Sequence, residues 1–275
     1  MKLATVRTDS GLRAVRVDDD GAVDLGHTDV RAVLERPDWR EAAAAASGEV
    51  LPPADLDYAP LVPAPEKVIC VGLNYRDHIR EMGRELPEHP TLFAKFARTL
   101  TGANDPIVLP AGSEMVDWEA ELVVVIGAEV RHATGADAAA AIAGFTVGND
   151  VSARDFQNRT LQWLQGKMFE ACTPVGPWLV TDVEPGRISC TVDGDVRQDS
   201  HTSELVFDPV RLVEYISAIV TLAPGDLIFT GTPGGVGAGR TPPLFLAEGQ
   251  EVVTAIEGVG ECRNVCVAEK LAEKH

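Results

Sequence analysis

Glu119 and Glu121 stand one residue apart in Asp117-Trp118-Glu119-Ala120-Glu121, which runs directly into the aliphatic stretch Leu122-Val123-Val124-Val125-Ile126. Successive side chains of a strand alternate faces, so both carboxylates point the same way, with Cα atoms roughly 6.5–7 Å apart. Their head groups can converge on one small cation, and without a positive partner they would repel. A third acid, Asp150, closes the next apolar run, Ala141 to Asn149. If the two strands are neighbours, three carboxylates meet at one point. Taken alone, a Glu-x-Glu pair is ordinarily the solvated face of a strand. The aliphatic continuation argues for burial on both faces, and buried carboxylates need a partner. A donor set of oxygens only, with no Cys or His nearby at ligand spacing, suits Mg²⁺, Mn²⁺ or Ca²⁺ and argues against zinc.

Other residues could serve such a centre. Arg76 to Met82 reads as a short helix halted by Gly83, and on it His78 and Glu81 face one side. A carboxylate that orients an imidazole raises its basicity and makes it a general base, although the same spacing is commonly a solvated pair. The Pro- and charge-rich stretch Arg84 to Pro90 marks this region as a loop of the kind that forms lids. Lys167 is a counter-charge to the three acids or an ordinary surface lysine. The segment Gly231-Thr232-Pro233-Gly234-Gly235-Val236-Gly237 follows a turn and a strand. It is either a tight turn or a loop whose backbone N–H groups approach an anionic ligand. It matches neither a phosphate-binding P-loop nor a dinucleotide fingerprint.

The elements that must hold these residues are sheet-rich. Short strands are expected at Leu3 to Val6, Arg13 to Val17, Ala22 to Leu25, Val68 to Leu73, Thr91 to Phe96 and Pro106 to Leu109. Helices are expected over Val30 to Ala46 and, from the Asp208-Pro209 cap, over Val210 to Val220. A proline-punctuated stretch from Leu51 to Pro65 reads as a linker. It divides a small N-terminal β-rich domain, 1–60, from a catalytic domain, 61–275. The class is α+β.

With 275 residues the chain buries a full core, and 45% hydrophobic against 24% charged residues is the balance of a globular protein. A net charge of −18 disfavours nucleic acid and anionic membranes as partners. The five cysteines form no C-x-x-C pair, and the N-terminus has no apolar leader. Both features predict a cytoplasmic protein with reduced thiols.

Five motifs in order resemble the fumarylacetoacetate hydrolase family over roughly residues 66–265. They are Gly72-Leu73-Asn74-Tyr75 with His78 and Glu81; Asp117-x-Glu119-x-Glu121; Asn149-Asp150-Val151-Ser152-Ala153-Arg154-Asp155 with Gln157; Gly166-Lys167; and Gly225-Asp226 followed by Thr230-Gly231-Thr232-Pro233. The resemblance implies a β-rich roll, commonly a homodimer. It implies that Glu119, Glu121 and Asp150 bind Mg²⁺ or Mn²⁺, with Ca²⁺ an acceptable substitute, and that Lys167 sits beside the metal. Tyr75, Arg154, Gln157 and Thr232 are the implied substrate contacts, and His78 and Glu81 the dyad that hydrolytic and decarboxylating members carry on a lid helix. Met168, Glu170 and Phe96 depart from the family pattern and leave the substrate open.

The leading expectation from this resemblance is a hydrolase that cleaves a C–C bond in a β-diketo or acylpyruvate-type 2-oxo acid. In it the metal stabilises the departing enolate, Lys167 adds to that stabilisation, and His78 activates water. The first alternative keeps the same enolate chemistry for decarboxylation of oxaloacetate-like acids or isomerisation of hydroxy-dienoates. The dyad favours hydrolysis over isomerisation. The second alternative is a non-catalytic member that serves as a binding protein.

Overall fold

The structure, a computed structural model, describes every residue except 53–55, 82, 84 and 272–275. Strands predominate and helices are few and short, as expected of an α+β chain. The aliphatic stretch forms the strand Ala120–Ile126, all of it buried. It lies between Ile142–Asn149 and Leu227–Phe229, both antiparallel to it. Leu227–Phe229 runs parallel to Val68–Gly72, which pairs with Thr91–Lys95.

Val123 and Val125 pack into one core with Leu3, Leu34 and Trp39, while Val124 and Ile126 pack into another with Leu212, Val213 and Ile216 of the helix Pro209–Ile219. Cover on both faces explains why this strand is unbroken aliphatic sequence rather than alternating. Each such side chain stabilises by roughly 1.5–3 kcal/mol. Together they offset the several kcal/mol that burying a neighbouring ion costs.

A second sheet is built from Arg187–Val192, Asp195–His201, Glu251–Ile256, Gly260–Ala268 and Ile107–Leu109. It closes over the first through Trp118, Leu122, Val147, Ile188, Val252 and Cys262. The N-terminal strands Lys2–Thr8, Gly11–Asp18 and Gly21–Asp24 form a meander joined edge-on to the main sheet, with Leu3 opposite Leu179 of Thr173–Val180.

Two expectations change. The helix expected over Val30 to Ala46 is two helices, Val30–Leu34 and Trp39–Ala45. Pro37 lies between them; it has no N–H for a helical bond and pushes Arg36 away from helical dihedrals. The stretch expected as a linker contributes a strand, Asp57–Tyr58, which pairs with Val6 and Arg7. Its residues 53–55 lie outside the described ones, as do Met82 and Arg84 of the expected lid region.

Strand polarity places the site. Glu119 precedes Ala120–Ile126, Asp150 follows the antiparallel Ile142–Asn149, and Thr230 follows the antiparallel Leu227–Phe229. All three therefore come to one end of the sheet.

Candidate metal centre and active site

The register that sets Ala120 opposite Asn149 brings Glu119 beside Asp150, whose N–H donates to the Glu119 carbonyl at 2.8 Å. Carboxylate oxygens of Glu119, Glu121 and Asp150 lie within 4.8 Å of one another, and all three residues are buried. Glu119 falls just outside the strand, which begins at Ala120. The Asn149 side chain replaces the missing ladder bond, accepting from the Glu119 N–H at 2.9 Å while donating to Thr254 Oγ1 at 2.9 Å.

Lys167 is no surface lysine. Its Nζ, fully enclosed, donates to Glu119 Oε2 at 2.8 Å and Asp150 Oδ2 at 2.7 Å. A second lysine, Lys95, donates to Asp150 Oδ1 at 2.7 Å and to the Val151 carbonyl at 3.1 Å. Burial alone would depress both ammonium pKa values, but the facing carboxylates outweigh it and raise them. Arg154 donates from Nε to Asp117 at 2.8 Å and from Nη1 to Gln157 at 2.9 Å. Its Nη2 lies 2.7 Å from Glu119 Oε1, an ion pair that joins the guanidinium to the acid cluster.

The three acids are not equivalent. Burial pushes Glu119 up, but Lys167 and Arg154 overcome it and bring its pKa down to about 2. Glu121 has no cationic partner among the described residues; its Oε2 accepts only the Gly231 N–H, at 2.7 Å. Burial first, then the charges of Asp150 and Glu119, drive its pKa well above the carboxylate range. A buried acid under that pressure, whose oxygens converge with two others, fits a hard divalent cation. With all three acids ionised around a divalent ion, and Lys95, Lys167 and the Arg154 guanidinium facing them, the centre would be net positive, which suits an anionic ligand. Glu119, Glu121 and Asp150 would hold the ion.

The glycine-rich loop was expected to offer its amides to an anionic ligand or to be a plain turn. Its N–H groups instead clasp the chain's own carboxylates. Gly231 donates to Glu121, Gly235 to Glu81 at 3.2 Å, Gly237 to Asp117 at 2.7 Å and Ala238 to Asp117 at 3.0 Å. Gly231 has φ +101°, a conformation that strains any side chain. The loop is thereby fixed over the metal strand. Gln198, from the second sheet, ties the two together: it accepts from the Ala120 N–H at 2.9 Å and donates to Thr232 Oγ1 at 2.7 Å and to the Pro233 carbonyl at 2.9 Å.

His78 and Glu81 lie on the helix Arg76–Glu81, with His78 Nδ1 3.2 Å from Glu81 Oε2. His78 is buried rather than solvated. A carboxylate only accepts, so Nδ1 carries the hydrogen and Nε2 keeps its lone pair. A cavity of about 140 Å³ opens beside the acids. Glu119, Lys167, Arg154, Gln157, Thr232 and His78 face it, and Gly72, Phe93 and Trp163 form an apolar wall. At about 30 Å³ per water that is room for roughly four or five waters, or one small organic acid. Tyr75 does not line this cavity. It is fully buried, its hydroxyl has no hydrogen-bond partner among the described residues, and burial raises its pKa.

Lys95, Gln198 and Trp163 carry no expected role in the sequence, yet all three shape the site. Lys95 had a faint signal: it ends the apolar run Leu92-Phe93-Ala94 on the same side as Phe93, where a solvated lysine would be out of place.

Comparison with known proteins supplies the relationship. Residues 67–267 match the family model described as fumarylacetoacetate (FAA) hydrolase C-terminal. The mitochondrial oxaloacetate tautomerase of Bos taurus is 47% identical over 225 residues, covering 79% of this chain and 72% of that protein. A solved structure named 5-carboxymethyl-2-hydroxymuconate delta-isomerase, from Mycobacterium smegmatis, superposes with a TM-score of 0.82 at 38% identity, covering 98% of this chain and all of that one. The fumarylacetoacetate hydrolase of psychrophilic Exiguobacterium antarcticum superposes with a TM-score of 0.85 at 30% identity and the same coverage. Among the described residues no helix is long and apolar enough to cross a membrane.

Proposed function

The chain belongs to the fumarylacetoacetate hydrolase family, and on that premise we propose that it is a divalent-cation-dependent isomerase interconverting the keto and enol forms of a short 2-oxo acid of the oxaloacetate type. The observation that carries this reading is the convergence of Glu119, Glu121 and Asp150, with Glu119 facing a small cavity whose wall also holds His78. Relatives named as tautomerases and isomerases favour enolate chemistry without bond cleavage over the C–C hydrolysis expected first.

Glu119, Glu121 and Asp150 would hold a divalent cation, which when bound would supply Lewis acidity that makes the C3–H of an oxo acid more acidic. Lys167 has three N–H bonds and commits two to Glu119 and Asp150, leaving one for the oxygen on which negative charge develops. Arg154, which faces the cavity, offers its guanidinium charge to a substrate carboxylate. His78 Nε2 takes the proton from C3, Glu81 steadies the imidazolium, and the proton is returned at the C2 oxygen. Water need not enter.

Hydrolysis of a C–C bond is the second reading, favoured by the same His78–Glu81 dyad, which could equally activate water. The two differ in products. Enol oxaloacetate mixed with protein and Mg²⁺ should lose its ultraviolet absorbance faster than the buffer rate, with no pyruvate formed, and EDTA should abolish the acceleration. Release of pyruvate and CO₂, or cleavage of acylpyruvates with tautomerisation unaccelerated, would overturn the isomerase reading.

All five cysteines are buried and free, which supports a reducing compartment. A homodimer is also proposed, as the family resemblance implies. Light scattering at the chain's 29.3 kDa mass tests it.

A further inference from the structure

We infer that Trp163 sets the length of acid the site accepts, closing the cavity to chains much longer than four carbons. The inference deepens the isomerase reading and rests on it for the class of ligand.

Trp163 stands four residues before Lys167, at the start of the short helical turn Trp163–Gly166. Its ring does not hang at the surface by default; it occupies a seat made for it. A Cβ built on Gly72 would come within 2.4 Å of the indole Cζ3, so only glycine at the end of Val68–Gly72 leaves room for the ring. On its other side the indole meets Phe93 edge to face, with centroids 5.7 Å apart and planes at 73°. Phe93 in turn carries Lys167 Nζ 5.1 Å from its ring centroid. An unbroken series of contacts thus runs from the ammonium at the acid cluster, through Phe93 and the indole, to the backbone of Gly72.

This series is the apolar wall of the cavity. The opposing lining of Arg154, Gln157, Thr232 and His78 is polar and held by hydrogen bonds, Arg154 to Asp117 and Gln157, Thr232 to Gln198, and His78 to Glu81. The cavity of about 140 Å³ thus has groups that the proposed reaction needs on one side and, on the other, a wall of Val71, Gly72, Leu73, Phe93 and Trp163 in which the indole is the largest ring. An acid lengthened toward that wall meets the indole, and each further methylene in that direction must displace the ring from its seat. Pockets of this kind discriminate by roughly 10–200-fold per methylene.

The test reads binding, so that it does not depend on turnover. Affinities of straight-chain 2-oxo diacids of four to seven carbons are measured by calorimetry with Mg²⁺ present, on the unaltered protein, Trp163→Ala and Trp163→Phe. The unaltered protein should bind the longest acid at least about tenfold more weakly than the shortest. Trp163→Ala should bring the two within about threefold, by strengthening the long acids rather than weakening the short one, and Trp163→Phe should fall between. A flat series on the unaltered protein overturns the inference whatever the variants do. Equal weakening of every acid by Trp163→Ala also overturns it, since that is the mark of a structural prop. A protein that shows the length limit but leaves the enol–keto rate untouched refutes the isomerase reading alone. Failure to bind any of the acids refutes both.

Discussion

Lys95 donates to Asp150 across 2.7 Å with both side chains fully enclosed, so one candidate metal ligand is held from behind by a charge that never meets solvent. Lys167 holds the other oxygen of the same carboxylate. Lys95→Met should leave Asp150 short of one cation and cost about 3–5 kcal/mol, the usual consequence of removing one member of a buried pair. A divalent ion restores positive charge at the same carboxylate. The rise in melting temperature on adding Mg²⁺ should therefore be larger in the variant than in the parent. An unchanged melting temperature in EDTA would show that the pair contributes nothing.

Glu119 and Glu121 should respond to pH in opposite senses. The Glu119 pKa is lowered to about 2, so its contribution to stability is present above the ordinary value of 4.5 and is lost as the pH falls from there toward about 2. The Glu121 pKa is raised, so the folded state favours its protonated form. Its contribution is full below the ordinary carboxylate value and is lost as the pH rises through the raised one. Glu121→Gln should accordingly leave the metal-free protein as stable as the parent or more so above neutral pH, while removing the stabilisation conferred by Mg²⁺. Glu119→Gln strips a partner from Lys167 and Arg154 and should destabilise by about 3 kcal/mol or more. Urea titrations with and without Mg²⁺ distinguish the two, and a large loss from Glu121→Gln in EDTA would contradict the assignment.

The acid cluster was legible because strand geometry and chain order decide it: a period of two aligns Glu119 with Glu121, and an antiparallel neighbour brings up Asp150. The buried strand was legible in Leu122 to Ile126 for the same reason. The helix break at Pro37 is visible in the residue itself, although one continuous helix was expected from Val30 to Ala46. Lys95 and Gln198 were hidden because they reach their partners, Asp150 and Ala120, across 55 and 78 residues of sequence. Their side chains act through tertiary proximity, which no local spacing encodes. The glycine loop misled for a related reason, since its amides serve carboxylates that arrive from two other segments, the helix Arg76–Glu81 and the stretch from Asp117 to Glu121.

Gln198 gives a prediction of its own. Gln198→Leu keeps the bulk but leaves the buried Ala120 N–H and Pro233 carbonyl without their partner, at about 1–3 kcal/mol for each group. Because it joins the metal strand to Thr232, the variant should also weaken Mg²⁺ affinity although it touches no ligand. Calorimetric titration with Mg²⁺ checks this; parental affinity in a folded Gln198→Leu protein would show that the loop is held without it.

His78 and Glu81, 3.2 Å apart, form the pair on which the proposed turnover depends. In the proposed reaction Nε2 moves the proton at C3, so His78→Gln should lower kcat by about 10²–10⁴ while Mg²⁺ affinity stays at the parental level. Glu81 acts on the substrate only through the imidazole, but it also accepts the Gly235 N–H that pins the glycine loop. Glu81→Gln keeps an oxygen for one of those bonds and loses the charge that steadies the imidazolium, so it should cost less than His78→Gln. The double variant should be no slower than His78→Gln alone, since a carboxylate that works through a ring has nothing left to orient once the ring is gone. Additive losses in that double-variant cycle would mean that Glu81 contacts the substrate directly and that the two residues work independently.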